Sequence, residues 1–325
     1  AGARWRAIAY VARIVAGAVA VAFLMKPLVA PRVAPPPPQT LDPENEPLLF
    51  AYVTRLCGLL GAPVPSRIDV GIEVNACASF RRGLMSFFGK ELMLTVGLSL
   101  VCGLNVREFT GVLAHEFGHF TQSAVMRLSY LIASVNHWFT KVAHERDAWD
   151  DKLAELERNT AWYAQVVVAI SQLSIWLGRR ILWVLMMVGR AVSAFLSRQV
   201  EFNADAHQVA IAGSTDFKDT LIKIHRLSSA HRYAAEIQGE MLSQNNVLFD
   251  DVVALVAAVD QDISVDEGLS NQTEGELLGA RSGPLDTRPA PRDRIDRAVN
   301  LGQEGVVTSD APASTLFSDF TALSK

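Results

Sequence analysis

The chain has 325 residues, half of them apolar, with a mean hydropathy of +0.20 and a formal net charge of −4. That length holds one large domain or two small ones, and the acidic balance argues against nucleic-acid binding, which would need a basic surface. The three cysteines, Cys57, Cys77 and Cys102, are widely spaced with no C-x-x-C, which argues against a disulfide framework and for a reducing environment.

Ala7 to Met25 reads as a helix of small and apolar residues interrupted by Arg13. Arg4, Trp5 and Arg6 precede it and Lys26-Pro27 follows, a flank that points to a transmembrane helix within residues 1–30. Arg13 favours the alternative of a buried or surface-lying helix. Residues 31–47 form a Pro-rich linker in which Pro35 to Pro38 impose a stiff extended spacer. Pro47 to Leu60 is an amphipathic helix with Leu48, Leu49, Tyr52, Val53, Leu56, Leu59 and Leu60 on or near one face, ended by Gly61-Ala-Pro63. Ile68, Val70, Ile72 and Val74 alternate within Arg67 to Ala78 and predict one or two strands. Arg81-Arg82-Gly83 reads as a turn and Glu91 to Val96 as another strand, so a small antiparallel sheet precedes the next helix. Asn105 and Glu108 have the spacing of a capping box and start that helix, which extends to about Ser123.

Arg127 to Leu156 reads as a helix whose charged end is a solvated face. Residues 159–197 are an apolar helical insertion, uncharged from Asn159 to Gly178 and then broken by Arg179-Arg180. Each half is near the minimum length of a bilayer core, which allows a membrane hairpin. Gln165, Gln172 and Arg179 recur every seven residues and favour instead long amphipathic helices lying against the membrane or the catalytic domain. Arg198 to Ala212, stopped by Gly213, is helical, as are Phe217 to Tyr233, Leu248 to Val259 and Arg292 to Leu301. Glu267 to Pro284 is polar and Gly-rich and reads as a long loop. The fold class is mainly α, of α+β type, with residues 48–325 forming the main domain around that insertion.

Chemistry concentrates in His115-Glu116-Phe-Gly-His119, an H-E-x-x-H within an apolar helical pattern. Residues four apart lie one turn above each other, so His115 and His119 point the same way and can share one tetrahedral metal ion. Glu116 is placed to reach a water on that metal. Two histidines in an apolar helix without partners would be costly. A catalytic zinc has three protein ligands and an open fourth position. Glu201 is the candidate third ligand, and Asp205, one turn later, can accept a hydrogen bond from the free ring N–H of a ligating histidine. Without the H-E-x-x-H, the two acids would read as an exposed pair on a helix.

The order of H-E-x-x-H, apolar helices, then E-x-x-A-D resembles the gluzincin-type membrane metallopeptidases that include the CAAX prenyl endopeptidases and the HtpX-like proteases. The resemblance runs from about Asp42 to the C-terminus. Gly111-Val112-Leu113-Ala114 leads into His115 as in that family, Arg198-Gln-Val-Glu201-Phe-Asn-Ala204-Asp205 fits its second zinc-binding helix, and Ala210-Ile-Ala-Gly213 its continuation. Asn75-Ala76 sits where the family has the N-A segment of the strand beside the active site, which implies a substrate-binding role for both. The family's His-Pro with an arginine six residues after the histidine corresponds to Arg288-Pro289 and Arg294. Arg288 thus replaces the histidine that helps to stabilise the oxyanion. As a permanent cation it can fill that role, or it is a surface residue in a reshaped loop.

The resemblance implies one Zn2+ per chain, held by His115, His119 and Glu201, with Glu116 as general base in peptide-bond hydrolysis. The expected partners are peptide or protein substrates, membrane proteins among them, and the lipid bilayer, but not nucleic acid. The expected location is the cell membrane with a cytoplasmic-facing site. Two other classes stand against this reading: a proteolytically inactive zinc-binding membrane scaffold, supported only by Arg288, and a membrane transport or assembly protein with an incidental H-E-x-x-H.

Overall fold

A computed structural model describes residues 39–80, 92–121 and 162–324. The expected transmembrane helix in residues 1–30, most of the linker, the turn at Arg81 and the helix from Arg127 to Leu156 lie outside them. Two compact units are present: residues 1–37 with 131–191, and residues 38–130 with 192–325.

Within the second unit the chain enters the fold at Gln39, earlier than the linker expected to reach residue 47. Gln39–Thr40 (β1) pairs with Arg67–Gly71 (β2), and Leu41 is buried. Helix α1 spans Pro47–Leu60, as its apolar spacing requires. Proline at its start has no N–H to leave unpaired, and Leu49, Val53, Leu56 and Cys57 form the buried stripe.

The sheet has four strands in the order β1-β2-β4-β3, with β3 at Ala76–Phe80 and β4 at Leu92–Gly97. It is mixed rather than antiparallel: β2 and β4 run parallel, while β1–β2 and β3–β4 are antiparallel. Alternation of side chains reports faces and not neighbours. Here β4 inserts between its two predecessors, so the strand next to β2 in sequence is not next to it in space. Among the described residues β3 is an edge strand. Asn75 O accepts from Gly97 N at 2.7 Å. Backbone groups alternate sides along a strand, so Ala76 and Ala78 turn theirs to the outer edge.

Leu98–Gly103 (α2) leads into Val106–Thr121 (α3), the helix of the H-E-x-x-H. The capping box is present: Glu108 N donates to Asn105 Oδ1 at 2.8 Å, and Asn105 N donates to Glu108 Oε2 at 3.0 Å. The C-terminal segment uses two more free N–H groups at this helix start. Val106 N and Arg107 N donate to Ala311 O and Ser309 O, and the Arg107 guanidinium pairs with Asp216 and Asp310, each at 2.6 Å. Phe109, Leu113 and Phe117, one turn apart in succession, are fully buried against the core of the sheet and α1.

Trp162–Ala212 (α4) is one helix of 51 residues, which rules out a hairpin turn at Arg179-Arg180 and absorbs the separate helix expected from Arg198. Among the described residues no helix is long and apolar enough to cross a membrane. Gly213 ends α4 with a φ of +99°, where glycine carries no Cβ penalty. Thr215–Asn245 (α5) and Val252–Val265 (α6) follow; α5 exceeds its expected range at both ends, while α6 starts four residues later than Leu248 and ends beyond Val259.

Glu267–Gly279 (α7) is a helix where a loop was expected. Its glycines and polar residues hide the periodicity, but Asp266 caps it by accepting from Gly268 N at 2.8 Å and Leu269 N at 3.1 Å. Thr273 and Leu277, four apart, supply the buried contact. Pro291–Leu301 (α8), a short 3-10 turn at Ala313–Leu316 and Phe320–Ser324 (α9) complete the chain. Replacing Asp266 by Ala should lower the unfolding free energy by about 1 kcal/mol, and by Asn much less. Denaturant titration checks this, and an Ala variant of unchanged midpoint contradicts the capping account.

Candidate metal centre

Phe109, Leu113 and Phe117 anchor α3 in the core, while His115 and His119 point away from that stripe and Glu116 stands at its border. The rings of His115 and His119 meet edge to face with centroids 4.9 Å apart. Their ligand atoms and a Glu116 carboxylate oxygen lie within 4.8 Å of one another, a group able to hold a metal ion.

Helix α4 brings the second part. Glu201 and Asp205 are one turn apart and both reach His115 across the helix crossing. Glu201 Oε2 lies 3.6 Å from His115 Nε2, and Asp205 Oδ1 lies 3.0 Å from His115 Nδ1. The second contact is at ion-pair distance without the alignment of a full hydrogen bond. The two nitrogens of one ring thus face two different carboxylates. The approach depends on small residues in α3. A Cβ on Gly111 would meet the Ala212 Cβ at 2.9 Å, and one on Gly118 would meet the His207 ring at 2.8 Å. His207 packs over Gly118 and lies 3.2 Å, through Nε2, from Thr121 Oγ1. His207 therefore belongs to the crossing and not to the metal group.

Asp205 is itself held from behind. Arg294 donates to both of its oxygens, from Nε at 2.9 Å and from a terminal nitrogen at 2.6 Å. This is the bidentate geometry that a planar guanidinium favours. Arg294 is placed by α8, whose Ile295 and Ala298 pack with Val209 and Phe217.

Burial alone would push both carboxyls on α4 up. The Arg294 bonds and the His115 contact hold Asp205 below the usual carboxylate range, and His115 does the same for Glu201. Burial disfavours a charged His115, but Asp205 and Glu201 outweigh it and raise the imidazole to about 9. Burial and the neighbouring His115 charge lower His119 to about 4. Burial raises Glu116, opposed by the His115 charge, by the backbone N–H of Ala78 and, more weakly, by Arg288.

That N–H ties the sheet to the site, because Ala78 is on the outer edge of β3. Of the residues expected to bind substrate, Ala76 shares that edge orientation and has a buried methyl group. Asn75 gives its carbonyl to Gly97, and its side chain is exposed. Arg288 lies in the segment before α8 with its side chain exposed. The contact of Ala78 with Glu116 was not legible in the sequence, because it is made by the backbone, which leaves no residue-type signal. Arg294 was visible only as a match at a spacing, with no role attached.

The donors fit zinc. Ligand atoms on a tetrahedral zinc with bonds of about 2.0–2.1 Å sit about 3.3 Å apart, close to the 3.6 Å between Glu201 Oε2 and His115 Nε2. With the other ring nitrogen of His115 turned to a carboxylate, the tautomer suits ligation through Nε2. A metal pair on an H-E-x-x-H helix, backed by acids from a second helix, defines a metallopeptidase site. Residues 68–301 match the model of Peptidase family M48, and the chain belongs to that family of zinc-dependent metallopeptidases. No curated protein and no solved structure matches the chain significantly.

Ligation requires neutral imidazoles. With His115 at about 9 and His119 at about 4 in the metal-free protein, zinc uptake at pH 7 should release about one proton, from His115. Affinity should rise as pH approaches 9. Calorimetric titration in buffers of different ionisation enthalpy counts the protons, and a count of zero contradicts a charged His115.

Proposed function

We propose that the protein is a membrane-associated zinc endopeptidase that cleaves peptide or protein substrates, membrane proteins among them. The observation that carries the reading is the meeting of Glu116 with the open edge of β3, through the Ala78 N–H, beside the His115–His119 pair. A purely structural metal site has no need of a glutamate aimed at a free strand edge.

His115, His119 and Glu201 would hold one zinc per chain, with Asp205 orienting His115 and Arg294 orienting Asp205. Zinc, when bound, supplies Lewis acidity that acidifies water and polarises a carbonyl oxygen. The chain's own residues do the rest. Glu116 accepts a proton from the attacking water and passes it to the leaving amine nitrogen as the C–N bond breaks. Its burial helps, because a base raised towards neutral pH transfers protons better. Arg288 offers a cation to the oxyanion. The substrate lies extended along β3 and pairs with the outward backbone groups of Ala76, a mode that reads main chain more than side chain.

Membrane association is supported by α4. Ile181, Trp183, Leu185, Val188 and Phe195 expose apolar surface, interspersed with Arg180 and Arg190 and without any acidic residue from 159 to 200. That composition suits a helix lying at a bilayer surface rather than crossing it. The M48 family is often membrane-associated. The three cysteines without a disulfide framework support a site facing the cytoplasm.

Glu116→Gln should keep one zinc per chain and lose peptide hydrolysis by at least about 100-fold. Metal analysis and peptide cleavage on the same purified sample check this. Cleavage at the wild-type rate would overturn the mechanism, and a wild-type protein that binds zinc but cleaves nothing would instead be a scaffold.

A further inference from the structure

Arg198 lies three residues before Glu201 on α4, so a single helical turn carries both. Its guanidinium does not point at the metal group. It donates to two main-chain carbonyls of the segment between α7 and α8: to Gly283 O at 2.6 Å from a terminal nitrogen, and to Asp286 O at 3.0 Å from Nε. The segment is already folded on itself. Gly283 N donates to Asp286 Oδ2 at 2.7 Å, Asp286 N donates to Gly283 O at 3.2 Å, and Ser282 Oγ donates to Arg288 O at 2.9 Å. Pro289 and Ala290 are buried at its far end. Between these anchors stands Arg288.

We infer that Arg198 is a positioning residue that latches the 283–288 turn to the Glu201 helix and thereby fixes Arg288 over the reacting carbonyl. The inference rests on the reading of Arg288 as the cation facing the oxyanion. The turn is exposed from Pro284 to Arg288 and so has little packing to hold it, and two carbonyls facing the same way need a donor that is itself two-pronged. A guanidinium supplies two parallel N–H groups in one plane, whereas a lysine ammonium is a single point donor and cannot reproduce the fork. Because the latch and Glu201 share one turn of α4, the turn and the metal group are registered against the same rigid element. Electrostatic stabilisation of an oxyanion depends on a donor held in place before the reaction, and misplacement by about 1 Å can cost on the order of 100-fold.

The test uses the full zinc-loaded chain as wild type, Arg198→Ala, Arg198→Lys, Arg288→Ala and the Arg198→Ala/Arg288→Ala double variant. Zinc content, amide hydrogen exchange of residues 282–288, and kcat and KM on one peptide are measured for each. Arg198→Ala should retain its zinc, exchange at 282–288 at least about tenfold faster, and lose kcat by about 10- to 100-fold with little change in KM. Arg198→Lys, which keeps the charge and most of the packing, should show the same changes to a smaller degree and covers the case in which the Ala variant does not fold. The double variant should be no slower than Arg288→Ala alone. Unchanged exchange in both Arg198 variants overturns the latch. Faster exchange with fully additive losses of kcat overturns its action through Arg288. A wild-type kcat in Arg288→Ala overturns the oxyanion reading itself, and the exchange arm separates that failure from a failure of the latch.

Discussion

Everything at the metal centre depends on how closely α3 and α4 cross. Gly111 and Gly118 lie seven residues apart on α3, and each faces a side chain of α4 that a methyl group would displace. Only at that separation do the short side chains of Glu201 and Asp205 span the gap to His115. The fixed side of the crossing is the apolar stripe Phe109, Leu113 and Phe117, which locks α3 to the sheet. The capping box and the C-terminal segment fix the start of the same helix. Packing on one face thus sets the geometry of the chemistry on the other.

Charge is arranged in depth. Arg294 neutralises Asp205, Asp205 faces one nitrogen of His115, and Glu201 faces the other. Burying that many ionised groups is costly unless each is paired, and the chain Arg294–Asp205–His115–Glu201 alternates in sign along its length. One consequence is that the two histidines differ despite their equivalent places on the helix. His115 is held charged in the metal-free protein, while burial and the His115 charge hold His119 neutral. The bidentate Arg294 pair also prevents Asp205 from rotating towards the metal ligands.

The sheet contributes through its edge. Because β4 lies between β2 and β3, the strand nearest the site has no second neighbour among the described residues, and its outward N–H at Ala78 meets Glu116. An antiparallel meander in sequence order would have placed β3 between two neighbours and left no free edge at this point. The segment from Gly283 to Arg288 is held to α4 by Arg198, through the carbonyls of Gly283 and Asp286.

Local rules made much of this legible. The i, i+4 spacing of His115 and His119, the neighbouring Glu116, the one-turn spacing of Glu201 and Asp205, the Asn105–Glu108 capping box and the stripe of α1 all depend on helix geometry alone, which a sequence carries directly. Helix α7 was not legible because its glycines hide a stripe that a single cap and two buried residues suffice to stabilise. The pairing of β2 with β4, the unbroken course of α4, the bond from Ala78 to Glu116, and the reach of Arg294 and Arg198 to groups 85–89 residues away belonged to the tertiary structure. The reason is physical: a helix writes its own neighbours every three or four residues, whereas contacts across a crossing or a sheet follow from how whole faces pack, and a pattern of apolar residues does not state which face meets which. The sequence by itself determined the H-E-x-x-H helix and its chemistry, and only the packing of α3, α4 and β3 decided which carboxylate, which backbone group and which arginine would stand around it.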